Sequence, residues 1–438
     1  MTTLTTSSRQ QTRSPLDLAH RHALRFLDGL DDRPAGAPAD AETLRRGFLR
    51  SLPDEGCDPA EVIDDLVAAA EPGLHGSAGG RFFGWVVGGA LPAALAAGAS
   101  VAFVTGCQMA HVTGLMTARH ELLRRLGWDV ERDGLAGAPR IRILASDQHH
   151  ASVDRAARFI GLGSASIVNL PTGEDCRMPA EALARALAED AGPTIVALQA
   201  GDLNTGAFDD FETLIPLIHE AGAWAHVDGA FGLWATASPQ FRHLTRGIEA
   251  ADSWATDGHK WLNVPYDSGL AFTAHPDAHR ASMTQHASYM ETASARDQLD
   301  WNPEFSRRAR GFAIYAALRE LGRQGLADLI ERTCGFCRAL TRRIGDLPGA
   351  ERLHDPVINQ GLVRFLDPSP GASEADHDRR TDEVISAIQR SGEAFFGGVT
   401  WHGRRAMRIS VCNWRTSEAD IERTVEAVRA ALETVSSD

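Results

Sequence analysis

Lysine is almost absent from this chain of 438 residues: of its 44 Lys and Arg residues, all but Lys260 are arginines. Tyrosine is nearly as scarce, with Tyr266, Tyr289 and Tyr315 forming the whole set. There is no Lys/Arg-rich run, and the formal net charge is −14 with a pI near 5.6. Such a chain repels phosphate backbones, so no nucleic-acid partner is expected. The N-terminal MTTLTTSSRQQTRSP lacks an apolar signal core, which argues against secretion by the general route. The longest apolar run, Trp85 to Val104, carries no charge but is broken by glycines and one proline. It reads as buried core that passes from Ala-rich helix to β-branched strand, and no membrane partner is expected. Six cysteines are scattered along the chain, and only Cys334 and Cys337 have metal-like spacing. They fall in an amphipathic helical stretch with no second pair to complete a zinc site, so no metal is expected. This usage suits a reducing cytoplasm, the expected location.

What remains is a soluble globular composition, with 43% hydrophobic and 23% charged residues. The length predicts more than one core. Residues 1–75 read as a polar tail and a helical arm, with helices at Ser14–Leu30 and Ala41–Leu52 separated by the Pro/Ala linker DDRPAGAPAD. Residues 76–320 are expected to form a large domain. Seven β-rich runs occur there (VAFVTG, RIRILAS, SIVNLPT, TIVALQA, WAHVDGA, DSWATDG and SGLAFTA), with helical patterns between most of them. That alternation predicts an α/β fold: a mostly parallel seven-stranded sheet with helices on both faces. A long helical stretch begins near residue 304. Residues 321–438 are expected to form a small C-terminal α+β domain, from GLVRFLD, a helix at Asp382–Ser391, AMRISVC and a closing helix at Ser417–Thr434.

Parallel sheets bind ligands beyond the carboxyl ends of their strands, and several chemistry-bearing residues fall there. Lys260 lies in TDGHKWL. An amine that forms a Schiff base cannot be replaced by guanidinium, so one retained lysine points to a covalent role. Chance survival of a surface lysine is the alternative, and the flanking His259, Trp261 and Leu262 oppose it. Asp228 ends a strand that is apolar apart from His226. It suits a carboxylate that keeps a pyridine nitrogen protonated, or a turn aspartate. Gly106 in FVTGCQMAHVTGL opens a strand–turn–helix whose N–H groups suit a phosphate, although any β-turn-α looks similar. In SDQHHASVDRA, His149 and His150 suit ring stacking or proton transfer.

Taken together, SDQHHASVDRA, NTGAFDDF, HVDGAFGLWA, DSWATDGHKWL and AMRISVCNW resemble the group II pyridoxal-phosphate-dependent amino-acid decarboxylases, in that family's order over roughly residues 75–435. The resemblance implies fold type I and pyridoxal 5'-phosphate as cofactor. It implies that Lys260 holds the cofactor as a Schiff base and Asp228 pairs with the pyridine nitrogen. His150 would stack on the ring and assist catalysis, with Ala230 on the opposite face. Gly106, Cys107 and Gln108 fall on the phosphate turn, His259 is a further phosphate contact, and Thr205 lies in the loop beside the cofactor. Trp85, Val86 and Arg408 fall at substrate positions. The implied partners are an amino-acid substrate and a second copy of the chain in a homodimer.

Two departures from the family pattern stand out. Only residues 98–101 bridge the GGALPAALAA segment and the FVTG strand, where relatives carry a longer insertion. Gln298 stands nearest the position where many relatives place a tyrosine that reprotonates Cα. Three readings follow. The first is decarboxylation of an L-amino acid through an external aldimine and quinonoid. The second is decarboxylation-dependent oxidative deamination, or another reaction at Cα. The third is a non-catalytic cofactor-binding homologue.

Overall fold

The computed structural model describes residues 6–36, 38–48, 58–74, 80–81, 83, 103–285, 298–305, 307–308 and 310–435. Trp85, Val86, the short bridge at 98–101 and Tyr289 lie outside the described residues.

All seven runs expected as strands are strands: β1 Phe103–Val104, β2 Arg142–Ser146, β3 Ile167–Leu170, β4 Thr194–Gln199, β5 Trp224–Asp228, β6 Ser253–Asp257 and β7 Gly269–Thr273. They form one sheet in the order β1-β7-β6-β5-β4-β2-β3. β3, β2, β4, β5 and β6 run parallel, and β7 is antiparallel to both β6 and β1. β4 and β5 are buried along their full lengths, as expected of central strands covered on both faces. Helices α4 Cys107–Arg125, α5 Ala151–Phe159, α6 Ala180–Glu189 and α7 Phe211–Glu220 cross over between strands. Local chemistry starts them where the strands stop. Asp210, for example, caps α7 by accepting from the Thr213 backbone N–H.

One close approach fixes the sheet's active edge. A side chain at Gly269 of β7 would stand 2.5 Å from the Gly106 backbone, so only glycine lets the turn after β1 lie against β7. Lys260 lies in the turn after β6, and its flanks are anchored. Trp261 is fully buried and donates Nε1–H to Thr333 Oγ1 at 2.9 Å. Asn263 donates to the carbonyls of Trp261 and Cys412 and accepts from the Trp414 N–H. The loop holding Lys260 is thereby tied to the C-terminal part of the chain.

After the large sheet, α8 Gly311–Gly345 is the long predicted helix, starting a few residues late and interrupted at Gly322, whose φ of 61° no α-helix accommodates. It holds Cys334 and Cys337, both fully buried. A small four-stranded antiparallel sheet follows, built from β8 Ala350–His354, β9 Gln360–Phe365, β10 Gly397–Trp401 and β11 Arg404–Ser410 in the order β10-β11-β9-β8. Helices α9 Glu374–Ser391 and α10 Glu418–Val435 pack with it. The helix predicted at Asp382–Ser391 begins two turns earlier, because Ser373 and Asp376 form a capping box there. β8 and β10 are not predicted from sequence: they are edge strands, short and only partly buried, so neither shows a clean apolar alternation. The N-terminal arm contains Thr6–Asp28, Ala41–Phe48 and a third helix, Pro59–Ala70, with Pro at its start and Asp58 as cap. No helix among the described residues is long and apolar enough to cross a membrane.

Candidate active site

β5 and β6 are neighbours, and each ends in a buried aspartate, Asp228 and Asp257. Ala230 couples the two ends: its N–H donates to Asp228 Oδ1 at 3.1 Å, and its carbonyl accepts from the Asp257 N–H at 2.9 Å. Two ionised carboxylates side by side in the core demand cations or directed donors. The chain supplies both.

Lys260 answers Asp257. Its Nζ lies 2.8 Å from Asp257 Oδ2, and the lysine side chain is one-fifth exposed. Burial alone would push the ammonium pKa down. Asp257 and Asp228 outweigh that cost and hold it above the usual lysine range. Asp257 Oδ1 accepts the Cys107 backbone N–H at 2.6 Å, which clamps the first residue of α4 to the lysine turn. The next two N–H groups, of Gln108 and Met109, belong to the first turn of that helix, where no intrahelical acceptor exists. With Gly106 they form an anion-binding helix start beside Lys260.

Asp228 is answered from α4 as well. His111 Nε2 lies 3.3 Å from Asp228 Oδ2, and Cys107 Sγ lies 3.7 Å from Oδ1. Burial pushes the Asp228 carboxyl up, but His111, His150 and Lys260 hold it far below the usual carboxylate range. The Cys107 thiol is driven the other way by burial and by both aspartates, so it stays an S–H donor. Cys107, His111 and Asp228 bring ligand-type atoms within 4.8 Å of one another, and hydrogen bonding links all three.

His149 and His150 divide in role. His149 is tied down, with Nδ1 at 2.7 Å from the Ser146 carbonyl and Nε2 at 2.8 Å from Asp154. His150 caps α5: its Nδ1 accepts the Ser152 N–H at 3.2 Å, so the ring proton of the neutral form sits on Nε2. Partial desolvation lowers its pKa, opposed by Asp228 and reinforced by Lys260, His111 and Arg408. These couplings bring the expected residues into one electrostatic unit.

Arg408, on β11, is nine-tenths buried, and its guanidinium has no hydrogen bond or ion pair among the described residues. Burial lowers its pKa to about 10, with Asp202 and Cys412 opposing. A buried guanidinium without a partner is costly, and an anion is what it lacks.

Two expected contacts are already committed elsewhere. Thr205 is fully buried and donates its hydroxyl to Asp202 Oδ1 at 2.8 Å, so it shapes its loop. His259 accepts the Ser268 N–H on Nδ1 and turns Nε2 toward Asp257 Oδ1 at 3.4 Å. Its ring stacks on Tyr266 with centroids 4.0 Å apart, and its Cε1 is the atom that a side chain at Gly106 would meet first.

Sequence reasoning missed three members of the site. Asp257 stands three residues before Lys260 in the same motif. His226 is two residues before Asp228, hence on the same strand face. His111 is four after Cys107, hence on the same helix face. Each signal was local and readable. What joins them, a contact between residues 115 apart, was not.

The donor set fits pyridoxal phosphate. It offers an amine beside a carboxylate, a second ionised carboxylate, a helix start for a phosphate and a buried arginine in want of an anion. Residues 89–365 match the pyridoxal-dependent decarboxylase conserved domain. The chain is 24% identical to an aromatic-L-amino-acid decarboxylase of Bacillus atrophaeus, over 94% of this chain and 93% of that protein. It is 28% identical to tryptophan decarboxylase 1 of Oryza sativa subsp. japonica, over 72% of this chain but 63% of the relative's length. The fold is shared with the crystal structure of Oryza sativa TDC with PLP and tryptamine, at a TM-score of 0.89 and 20% identity, covering 99% of both chains. The chain belongs to the pyridoxal-dependent decarboxylase family, fold type I lyases whose cofactor is pyridoxal phosphate.

Proposed function

We propose that this chain removes the carboxylate of an L-amino acid, releasing CO2 and the corresponding amine, at pyridoxal phosphate bonded to Lys260. One observation carries the proposal: the only lysine of the chain stands 2.8 Å from Asp257, in the same buried site as an ionised Asp228. Bound there, pyridoxal phosphate supplies a carbonyl that bonds amines covalently and a protonated ring that withdraws electrons from the bond to be broken.

The chain's own residues divide the remaining work. Asp257 holds the Lys260 ammonium in place until the amine is used. Asp228 supplies the negative charge that a protonated ring nitrogen requires. Gly106, Gln108 and Met109 offer backbone donors to the phosphate, because the expected Cys107 N–H is already taken by Asp257. Arg408 supplies the buried positive charge that a substrate carboxylate seeks. The proton that replaces CO2 at Cα comes from Nε2–H of His150 in its protonated form, which returns to the neutral ring as it gives the proton up. Tyr266, stacked on His259, is a second donor. Its phenol, more than half exposed, is protonated at neutral pH. Trp85 and Val86 belong to the proposal as substrate-contacting residues. So do a homodimer and a cytoplasmic location, the first of which gel filtration with light scattering tests.

A second reading, oxidative release of an aldehyde and ammonia with O2 as the oxidant reduced to H2O2, is supported by Gln298 at the position nearest the family's loop tyrosine. A phenylacetaldehyde synthase of a Rosa hybrid cultivar is also similar to this chain, at 25% identity over 71% of it. The experiment supplies a panel of amino acids to the cofactor-loaded protein and measures CO2, amine, aldehyde and H2O2. Amine with CO2 and no H2O2 is the expected result. Aldehyde with stoichiometric H2O2 selects the second reading instead.

A further inference from the structure

Behind Asp228 a line of buried polar side chains runs into the core. His111 Nε2 faces Asp228 Oδ2 at 3.3 Å, and His111 Nδ1 meets His226 Nε2 at 2.9 Å. His226 Nδ1 meets Ser253 Oγ at 2.8 Å, and Trp224 Nε1 lies 2.9 Å from the same Oγ. His111, His226, Ser253 and Trp224 are all fully buried. The mechanism above uses none of these four.

With both imidazoles neutral, the direction of every hydrogen bond in the line follows from its carboxylate end. An indole N–H can only donate, and an ionised carboxylate can only accept. Trp224 therefore donates to Ser253 and Ser253 to His226 Nδ1. His226 Nε2–H then donates to His111 Nδ1, and His111 Nε2–H to Asp228. In that state no donor is left over. Burial lowers the His226 pKa to about 3, which agrees with a neutral His226 ring. The line ends at Trp224 inside the core, so it does not conduct protons to water. It is a fixed row of dipoles aimed at one carboxylate oxygen.

The packing is arranged for this row. Gly114 lies in the interior of α4, where glycine is less favourable than alanine. A methyl group there would stand 2.9 Å from His226 Cε1 and 3.3 Å from Ser253 Oγ. The glycine makes room for the imidazole. Asp228, for its part, has about four lone-pair sites. His111 takes one on Oδ2, while the Ala230 N–H and the Cys107 S–H take two on Oδ1. One site on Oδ2 remains for an outside donor.

We propose that His111, His226 and Ser253 are positioning residues that hold Asp228 ionised and oriented, with one lone pair presented to the cofactor's ring N–H. This rests on the reading of Asp228 as the ring's partner. The titratable groups facing Asp228 are Cys107 and His111 from α4, His150 from the start of α5 and Lys260 from the turn after β6. His226 faces His111 across the sheet.

The test uses full-length protein prepared free of cofactor and then titrated with pyridoxal phosphate. It compares the parent with Ser253→Ala, His226→Asn, His226→Gln and Asp228→Asn. The readouts are the cofactor dissociation constant and the visible absorption of the bound cofactor between pH 6 and 9 (working limits of about that range). Far-UV circular dichroism checks folding, and Ser253→Ala is the mildest change should a histidine variant fail to fold. Loss of a hydrogen bond feeding a charged group weakens binding by about tenfold. The expected result is that weakening in Ser253→Ala and His226→Asn, a new pH-dependent absorption change absent from the parent, and partial recovery in His226→Gln. If Asp228→Asn weakens binding while every folded row variant stays within twofold of the parent with a parent-like pH response, the proposal is overturned and the Asp228 assignment stands. If Asp228→Asn also binds like the parent, the reading of Asp228 itself is what fails.

Discussion

The two sheets of this chain treat charge in opposite ways. The seven-stranded sheet ends its central strands in Asp228 and Asp257, both buried, and surrounds them with Lys260, His111 and His226. The four-stranded sheet has an apolar core of residues such as Phe365, Phe396, Leu340, Ile388 and Val428. Arg364 of β9, its most deeply buried guanidinium among the described residues, reaches out to Glu374 and Asp378 at the rim, and Arg408 of β11 is the exception that lacks such partners. Charge in the first sheet converges inward, and charge in the second is led outward. Buried ionised groups are poor stabilisers, because desolvation offsets most of their attraction. Their concentration at one sheet edge is therefore explained by chemistry rather than by stability. Apolar packing, by contrast, is present behind both sheets.

The largest effect expected from this contrast is on Lys260. Lys260→Arg keeps the positive charge beside Asp257 but removes the amine nucleophile. Activity should fall by at least ~10^4-fold, on the scale seen when a covalent nucleophile is removed. Borohydride should no longer lock the cofactor onto the chain, as intact-mass measurement reads directly. Folding should survive, since the Asp257 ion pair is retained. A variant that still gave the borohydride adduct at this position would end the assignment.

Next in size is a change in the small sheet. Phe396 is fully buried and stacks on Phe83 with ring centroids 5.4 Å apart. Phe396→Ala should destabilise by about 3–5 kcal/mol, the usual cost of deleting a buried aromatic ring. The comparison sharpens here. Lys260→Arg should remove activity with little loss of denaturation midpoint, and Phe396→Ala should do the reverse per folded molecule. Urea denaturation alongside activity of the folded fraction separates the two. Equal effects on both quantities in either variant would show that the sheets do not divide the labour this way.

How much of this was legible in the sequence follows the same division. The seven strands of the large sheet read correctly because β-branched runs such as TIVALQA and RIRILAS are short, apolar and separated by helical patterns. Lys260 and Asp228 were legible because one is a compositional exception and the other sits at a strand end. β8 and β10 were not, since edge strands half open to solvent carry no apolar alternation to detect. His226 was visible as the polar exception in β5, but its purpose depends on His111, brought to it across the sheet by folding. The commitments of Thr205 and His259 were equally hidden. Motif position gives the neighbourhood of a side chain, and only the packed structure shows which hydrogen bonds it has already made.

A smaller effect is expected from pH. Burial depresses the His226 pKa from about 6.5 to about 3 in the folded chain. Between these values the unfolded chain binds a proton that the folded chain refuses, so stability falls as pH falls. From pH 7 to pH 5 this group alone should cost about 2 kcal/mol. His226→Asn removes the titration, so its stability should decline less steeply over that interval, whatever its absolute value. Denaturation midpoints at pH 7, 6 and 5 for both proteins provide the slopes. Parallel slopes would mean that His226 titrates normally and that the large sheet tolerates charge at that depth.

The smallest effect is expected where charge has been led outward. Arg343 in α8 and Glu422 in α10 form a two-pronged pair at 2.7 and 2.5 Å, with the glutamate side chain 61% exposed. Its geometry is at least as good as that of Lys260 with Asp257. Distance alone would rank it the stronger interaction. Water decides otherwise, because exposed carboxylates are well solvated without a partner and dissolved salt screens what attraction remains. Glu422→Gln should therefore shift the melting temperature by no more than moderate salt shifts the parent, and leave cofactor binding untouched. A clear loss of stability, insensitive to salt, would show that this pair is shielded in the assembled protein and that the small sheet also depends on a protected charge. The two pairs share their chemistry and differ in burial, so the measured difference between them isolates what depth adds to a salt bridge.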